Sequence, residues 1–554
     1  MTSELQLPSL QASLEECLLC RDVKKGFRLL DSAAAVLTDI GSAGSGGIAL
    51  ALSLAQWIDL GYRDLPFLKE VMKSLPIRSP EMPFVDVIRL QLIEAYHQLA
   101  TEDAEQAILG LERCLPGVDM LPPSLGFLTH FWKGRAHRKK GDYTNAARHI
   151  LAARECAEAL ARPKLVAVTK IHESWLVFQG GETTKALKLL DEAEAELRPI
   201  AHALSLGNIE SARGRFVRRS GDYAGSLSHF ERAIAIYENG FSQHPNMARA
   251  MVNAAYVKRL LALELRPTQH RARATGALNA RYLQLTREGL DLLAKAGRIY
   301  ERHHHQGGRG SVLVNAGHLH LESGDMDQAA LEAQRAYKVG SETADVILMA
   351  RAMSLQSAVE RSKAEEELDG EEDAESHLQR AIRHADSAIE LAKTTQNRRL
   401  LAEACLARGF ASLDESRPDI DVARACASEA GLLLSKNDRD HLYKEHAELK
   451  RKILRSAGVD DALRRWSEGQ LGQKTFQQVQ EEFAGMVILR VWQNLGRSVT
   501  RVSKELSISP KKVRRLLQQA DAKNSEAVGR VHAPNEAATA EGAVRVAKER
   551  RKVR

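Results

Sequence analysis

Glycine followed by an acidic residue recurs along this chain at a constant interval. Gly141-Asp142, Gly181-Glu182 and Gly221-Asp222 stand 40 residues apart, and small residues follow each pair at the same offsets: Ala146 and Ala153, Ala186 and Ala193, Ser226 and Ala233. Repetition at such a period restricts the fold more than any other feature. A unit of this size cannot bury its apolar face alone, so it must stack on copies of itself. Fainter copies lie at Ala107 and Cys114, at Gly324-Asp325 with Ala329 and Ala336, and at Ala423 and Ala430. Another falls somewhere in 371–391 with its register open. The interval from Ser226 to Ala329 holds two longer units, with the polar, Arg-rich piece Arg266 to Ala280 lengthening a loop inside one of them.

Small residues at i and i+7 share one helix face two turns apart, where a second helix can approach closely. Glycine with aspartate supplies the tight turn between the two helices. Aromatic residues make up only 5% of the chain, and Gly and Pro number 37 and 15, a composition that favours helices over the strands of a large β protein. The expected fold is therefore all-α, a solenoid of helix hairpins with a concave inner surface, followed by a small trihelical domain.

The run Gly221-Asp222-Tyr223, Ser226, Phe230, Ala233-Ile234 and Tyr237 resembles the tetratricopeptide family, and the resemblance spans residues 84–450. It implies a tetratricopeptide-like array that binds a protein or peptide in its groove and performs no chemistry. Polar residues on the first helix of each pair, Arg135, His137, His172, Asn208, Arg213, Asn253 and Asn315, are the groove candidates; a solvated helix position is the alternative for each.

Residues 1–83 have helical patterning without a clear repeat. Gly41 to Gly47 (G-S-A-G-S-G-G) lacks the Gly-Lys-Ser/Thr ending of a phosphate loop and is expected to be a flexible inter-helix loop. His303-His304-His305 point in different directions on a helix, so a helix C-terminus explains them better than a metal site. Cys17 and Cys20 form a C-x-x-C without a second pair, which is expected to be two small residues on one helix face. The longest apolar stretch, Ile48 to Leu60, contains Gln56 and Asp59 and falls short of the ~20 residues that span a bilayer. No basic signal region opens the chain. A cytoplasmic protein without membrane contact is expected.

After Leu471 the texture changes. Thr475 to Leu495 has one helix pattern, with Phe476, Val479, Phe483, Met486 or Val487, and Trp492 at helical spacing. Ser498 can cap a short helix from Val499 to Leu506. Ser507-Ile508 makes a turn, Ser509 is a good N-cap, and Pro510 suits the first position of a third helix running to about Ala520. Helix, short helix, tight turn and basic helix is the layout of a helix-turn-helix DNA reader.

The string Leu495-Gly496-Arg497-Ser498-Val499-Thr500-Arg501-Val502-Ser503-Lys504-Glu505-Leu506-Ser507-Ile508-Ser509 resembles the Fis-type DNA-binding domain that also closes the NtrC-like activators. The resemblance implies DNA contacts from Arg497, Thr500, Arg501, Ser509, Lys511, Lys512, Arg514 and Arg515. It also implies a small core of Val502, Leu506, Ile508, Val513, Leu516 and Leu517. Two departures matter. The turn glycine of the family is Ser507 here, and Pro510 stands where the family often places an arginine, which shifts base readout to Ser509, Lys511 or Lys512 and favours a shape-based preference.

Residues 471–554 carry 17 Lys and Arg against 8 Asp and Glu, so the whole excess positive charge of the +7 chain lies at this end. The domains expected are 1–83 (N-terminal helices), 84–455 (repeats), 456–474 (linker), 475–520 (DNA reader) and 521–554, a basic, disordered tail. No catalytic motif, cofactor site or metal site is visible. The expectation is a non-enzymatic, DNA-binding bacterial transcriptional regulator that binds double-stranded DNA at one end and a protein or peptide in its repeats. Its long helix 475–495 offers a homodimer surface. The alternative is a scaffold whose C-terminal unit contacts proteins.

Overall fold

A computed structural model describes residues 7–37, 40–265, 276–366, 371–413, 418–456, 466, 474–494 and 498–518. They divide into two units, Met1–Ile453 and Leu454–Arg554. Among the described residues every regular element is helical. The expected linker 456–474 lies almost wholly outside the described residues, as do the tail 521–554 and the loop residues 266–275.

The first unit is a tetratricopeptide-like α-solenoid of helix hairpins. Phe84–Ala100 pairs with Ala104–Glu112, Pro123–Lys140 with Tyr143–Ala159, Pro163–Gln179 with Thr183–Leu197, and Ala203–Arg219 with Tyr223–Glu238. One longer hairpin follows, Pro245–Leu265 with Gly276–Arg302, where the spacing predicts two longer units; the next, Gln306–Glu322 with Met326–Glu342, has the length of the earlier ones. Then come Val346–Glu366 with Glu371–Lys393, and Arg398–Ala411 with Ile420–Leu433, before His441–Ser456.

Several hairpin turns are built from a left-handed residue followed by a capping side chain. Gly141 (φ 81), Gly221 (φ 87) and Gly324 (φ 86) reverse the chain, and Asp142, Asp222 and Asp325 then accept from the backbone N–H three residues on, at 3.1, 2.8 and 3.1 Å. The cap's own N–H also bonds back to the preceding helix, from Asp142 to the His137 carbonyl at 3.0 Å and from Asp325 to His320 at 2.9 Å. These bonds satisfy carbonyls that the helix end would leave open.

The same device recurs with other residues in the left-handed place. Arg21 (φ 55), Arg63 (φ 81) and Glu102 (φ 76) precede the caps Asp22, Asp64 and Asp103, which accept from Lys25, Phe67 and Gln106. The repeat therefore extends into residues 1–83, where Leu7–Cys20 pairs with Val23–Ser32 and Gly44–Asp59 with Leu65–Ser74. The segment expected to be a loop is also different: Ile40–Ala43 is a 3-10 turn and Gly44 to Gly47 open the next helix. Backbone proximity accounts for a glycine there, since a Cβ on Gly47 would lie 2.1 Å from the Ile40 carbonyl oxygen.

Close approach of the paired helices rests on the small residues. Ala146, Ala153, Ala186, Ala193, Ser226 and Ala233 have no exposed surface, and neither have Ala107, Cys114, Ala329, Ala336, Ala423 and Ala430. Opposite them large side chains fill the gap: Phe230 packs where a Cβ on Gly214 would come within 3.0 Å of its ring, and Ser226 donates to the Gly214 carbonyl at 2.7 Å. In Glu371–Lys393, Ala381 with Ala388 and Ala385 with Ala392 are all fully buried, which settles the open register as two interleaved small-residue rows.

Hairpins far apart in sequence also meet. The Gln396 N–H donates to the Gly141 carbonyl at 2.9 Å while its side-chain oxygen accepts from the Thr144 N–H at 2.8 Å. The Arg439 N–H reaches the Arg219 carbonyl at 2.9 Å, and Asp438 bridges Arg219 and Arg399 at 2.8 and 2.7 Å. Glu102 accepts from the Gly307 N–H and pairs with Lys139 and His305 at 3.1 and 3.2 Å. Early hairpins of the array are thus tied directly to later ones.

Both the turns and the buried histidines have measurable effects on stability. Gly221→Ala places a Cβ 2.8 Å from the Arg439 carbonyl at a left-handed φ, so urea unfolding should show a loss of about 2 kcal/mol or more. His149 and His202 are 3% and 4% exposed, and burial, followed by neighbouring cations, lowers both to about 3. Their folded values lie below the unfolded one, so the unfolded chain takes up the proton first and stability falls as pH drops from about 6.5 toward 3. Each histidine contributes about 1.4 kcal/mol per pH unit in that window. Urea midpoints should be lower at pH 5 than at pH 7, and His202→Asn should flatten the slope; equal midpoints at the two pH values would refute the assignment.

Candidate functional site

In the second unit, Phe476–Asn494, Val499–Glu505 and a helix over 510–518 pack around Ile488, Val502, Val513 and Leu516. Leu506, Ile508 and Leu517 complete this core, together with Ala484, Val491, Trp492 and Val499. Ser498 caps the second helix by accepting from the Arg501 N–H at 3.5 Å, and Ser509 caps the third by accepting from the Lys512 N–H at 3.3 Å. Between them Ser507 is left-handed at φ 51, and the Ser503 hydroxyl donates across the turn to the Ile508 carbonyl at 2.5 Å. A side-chain-bearing residue in that conformation costs about 1–2 kcal/mol relative to glycine.

Periodicity then divides the third helix. Val513, Leu516 and Leu517 turn inward, while Lys511, Lys512, Arg514 and Arg515 are exposed on the opposite face. Thr500, Arg501 and Ser509 are exposed as well, and Arg497 lies outside the described residues. None of these described cations has an ion-pair partner among the described residues, so the face presents uncompensated positive charge.

On the lead-in helix the apolar stripe expected from Phe476, Val479, Phe483, Met486 or Val487, and Trp492 coincides only in part with the buried one. Val479 is buried, but the face against the other two helices is Ala484, Ile488, Val491 and Trp492. Phe476, Phe483 and Val487 are 69%, 48% and 36% exposed. An apolar run that covers more than one helix face does not reveal from spacing alone which side is covered.

The first unit holds a cavity of about 260 Å³ on its concave side. The first helices of five successive hairpins line it, those beginning at Phe84, Pro123, Pro163, Ala203 and Pro245, with the turns at Arg21 and Asp59–Asp64. Arg135 grips Asp59 through two hydrogen bonds of 2.6 and 3.0 Å. Arg138 lies 5.4 Å from the centre of the Trp175 ring, and Arg249 donates to the Asn246 side-chain oxygen at 2.5 Å. The guanidinium groups of Arg21, Arg138 and Arg215 have no hydrogen bond or ion pair with any described residue, and the Nε atoms of Arg21 and Arg215 are buried.

Desolvation, reinforced by the positive charge of Arg249 and its neighbours, brings Arg138 and Arg215 down to about 9. Both remain charged at neutral pH. His172 is held well below its ordinary value by burial and then by Arg138, Arg135, Arg249 and Arg21, and burial lowers His244 to about 3. The cavity's positive charge at pH 7 is therefore carried by guanidinium groups alone.

Of the groove candidates, Arg135, His172 and Asn208 line this cavity. The other four do not. His137 turns toward Asp142 at 3.0 Å and stacks on His149, and Arg213 joins Asp191, Glu194 and Glu210 at 2.6, 2.6 and 3.0 Å. The amides of Asn253 and Asn315 donate to the carbonyls of Arg249 and Ser311 in their own helices, both at 2.7 Å. Sequence reasoning missed Arg21, Arg138, Arg215 and Arg249. A signal existed: Arg135, Trp175 and Arg215 each stand six residues before their turn glycine. Arg213 is two residues off that register, about 200° around the helix.

No protein-family model and no curated protein sequence matches the chain. Among solved structures it is similar to a Rap protein complexed with competence and sporulation factor, at 11% identity over 81% of this chain and 99% of that one, with a TM-score of 0.45. It is similar to the apo form of the quorum sensor NprR from B. thuringiensis, at 11% identity over 78% and 99%, TM-score 0.43. An IFIT1 monomeric mutant with Gppp-AAAA shares 11% identity over 81% and 95%, TM-score 0.44. At these scores the solenoid assignment rests on this chain's own hairpins and caps.

Proposed function

We propose that this protein is a non-enzymatic, cytoplasmic transcriptional regulator. Its C-terminal unit is a Fis-type helix-turn-helix that docks on double-stranded DNA, and its repeat array receives a protein or peptide partner. One observation carries the proposal: the third helix turns Lys511, Lys512, Arg514 and Arg515 to solvent without counter-charges while its other face anchors the core. Such a face suits phosphates, and in this reading Ser509 and Lys511 at its start contact base edges. Thr500 and Arg501 add phosphate contacts from the second helix. Partner binding to the array shifts the population of DNA-competent protein to the extent that it prefers one arrangement of the solenoid.

A scaffold function is favoured by the exposed Phe476, Phe483 and Val487 on the lead-in helix, which suit a second copy or another protein.

Duplex-DNA binding by the full chain across a salt series separates the two. R514A/R515A should weaken binding and lower the salt slope by about one for each phosphate that is no longer neutralised. Unchanged affinity and slope would leave the scaffold. Ser507→Gly should raise the melting temperature of the C-terminal unit by relieving about 1 kcal/mol of backbone strain, with DNA affinity retained; a fall in melting temperature would contradict the strained turn.

A further inference from the structure

The concave cavity gathers more positive charge than the protein neutralises. Its two lining carboxylates are engaged, Asp59 by Arg135 and Asp64 by the Phe67 N–H it caps. Among the described residues the guanidiniums of Arg21 and Arg215 are left without a partner, Arg138 has only the face of the Trp175 ring, and Arg249 has only the Asn246 amide. Half-buried guanidiniums with open donors and no counter-charge are costly. An evolved helix face reaches this arrangement cheaply only where something anionic fills it.

The geometry points to a phosphate-binding site: a small molecule bearing a compact multivalent phosphate, of the nucleoside polyphosphate class, seats its phosphates among Arg21, Arg138, Arg215 and Arg249. Its organic part lies along Trp175 and Leu204. The inference goes beyond the proposed function by giving this cavity a small anionic ligand in addition to the array's protein or peptide partner, and it is independent of DNA binding.

Two features favour phosphate over an acidic peptide. The charges converge, since His172 experiences Arg21, Arg135, Arg138 and Arg249 together, and Arg215 experiences both Arg138 and Arg249. Carboxylates on one face of an extended peptide stand roughly 6.6 Å apart, one charge each. A polyphosphate concentrates several charges and offers paired oxygens that match the guanidinium fork. The second feature is size: about 260 Å³ lies just below the usual range of ligand pockets, roughly 300 to 1,000 Å³.

Titration calorimetry and thermal melting of the full chain with inorganic tripolyphosphate, ATP and pentaglutamate test this. Tripolyphosphate and ATP should bind and raise the melting temperature, with ATP the tighter; equal affinities would overturn the contact with the organic part. R138Q/R215Q should weaken both by roughly tenfold or more per guanidinium. R215Q alone should melt higher than the parent without ligand, because it removes a repelled charge; a lower melting point would overturn the argument from uncompensated charge. R514A/R515A should retain polyphosphate affinity, so failure here and failure of DNA binding are read separately. Pentaglutamate binding as tightly as tripolyphosphate, or affinities unaffected by R138Q/R215Q, would overturn the proposal.

Discussion

The turn that joins the two helices of each hairpin is the constraint on which the rest of the array depends. At the turns of Asp22, Asp64, Asp103, Asp142, Asp222 and Asp325 a left-handed residue reverses the chain and the next side chain caps the following helix, which sets how the second helix lies against the first. Once that angle recurs, rows of buried alanine allow close packing, and the first helices of successive pairs face one common interior. The cavity is a product of that recurrence. Arg135, Arg138, Arg215 and Arg249 come from three different hairpins and converge only because each hairpin is placed on its predecessor in the same way.

Legibility in the sequence follows the residue that occupies the left-handed place. Where it is Gly141, Gly181, Gly221 or Gly324, the hairpin can be read directly, because glycine is the residue that tolerates this conformation most easily. Where it is Arg21 or Arg63, the capping aspartate is present but the companion signal is absent, and the first hairpins look like unrepeated helix; where it is Glu102, only a fainter copy at Ala107 and Cys114 shows. Glu102 has a use that glycine could not supply, since its carboxylate joins Lys139, His305 and the Gly307 N–H. Local strain is accepted there in exchange for a contact that no local pattern discloses.

The two electrostatic sites differ in the same respect. The exposed face of 510–518 is legible because its cations and its core residues alternate within nine positions of a single helix. The cavity needs the three-dimensional stacking to be known before Arg21 can be placed beside Arg138. Arg213 and Arg215 are separated by a single residue, yet that step moves the charge between the concave face and a network with Asp191, Glu194 and Glu210.

The bonds between Gly141 and Gln396, and between Arg219 and the Asp438–Arg439 turn, bear on how the array acquires its structure. Repeats that touch only their neighbours can nucleate anywhere and fray from either end, with stability that adds up unit by unit. Here hydrogen bonds and ion pairs spanning more than two hundred residues couple early hairpins to late ones. Closing such long loops costs chain entropy before any of those bonds can form, which slows folding and makes it more cooperative. The array should behave as one large folding unit, and removal of its last hairpins would be felt at residue 141.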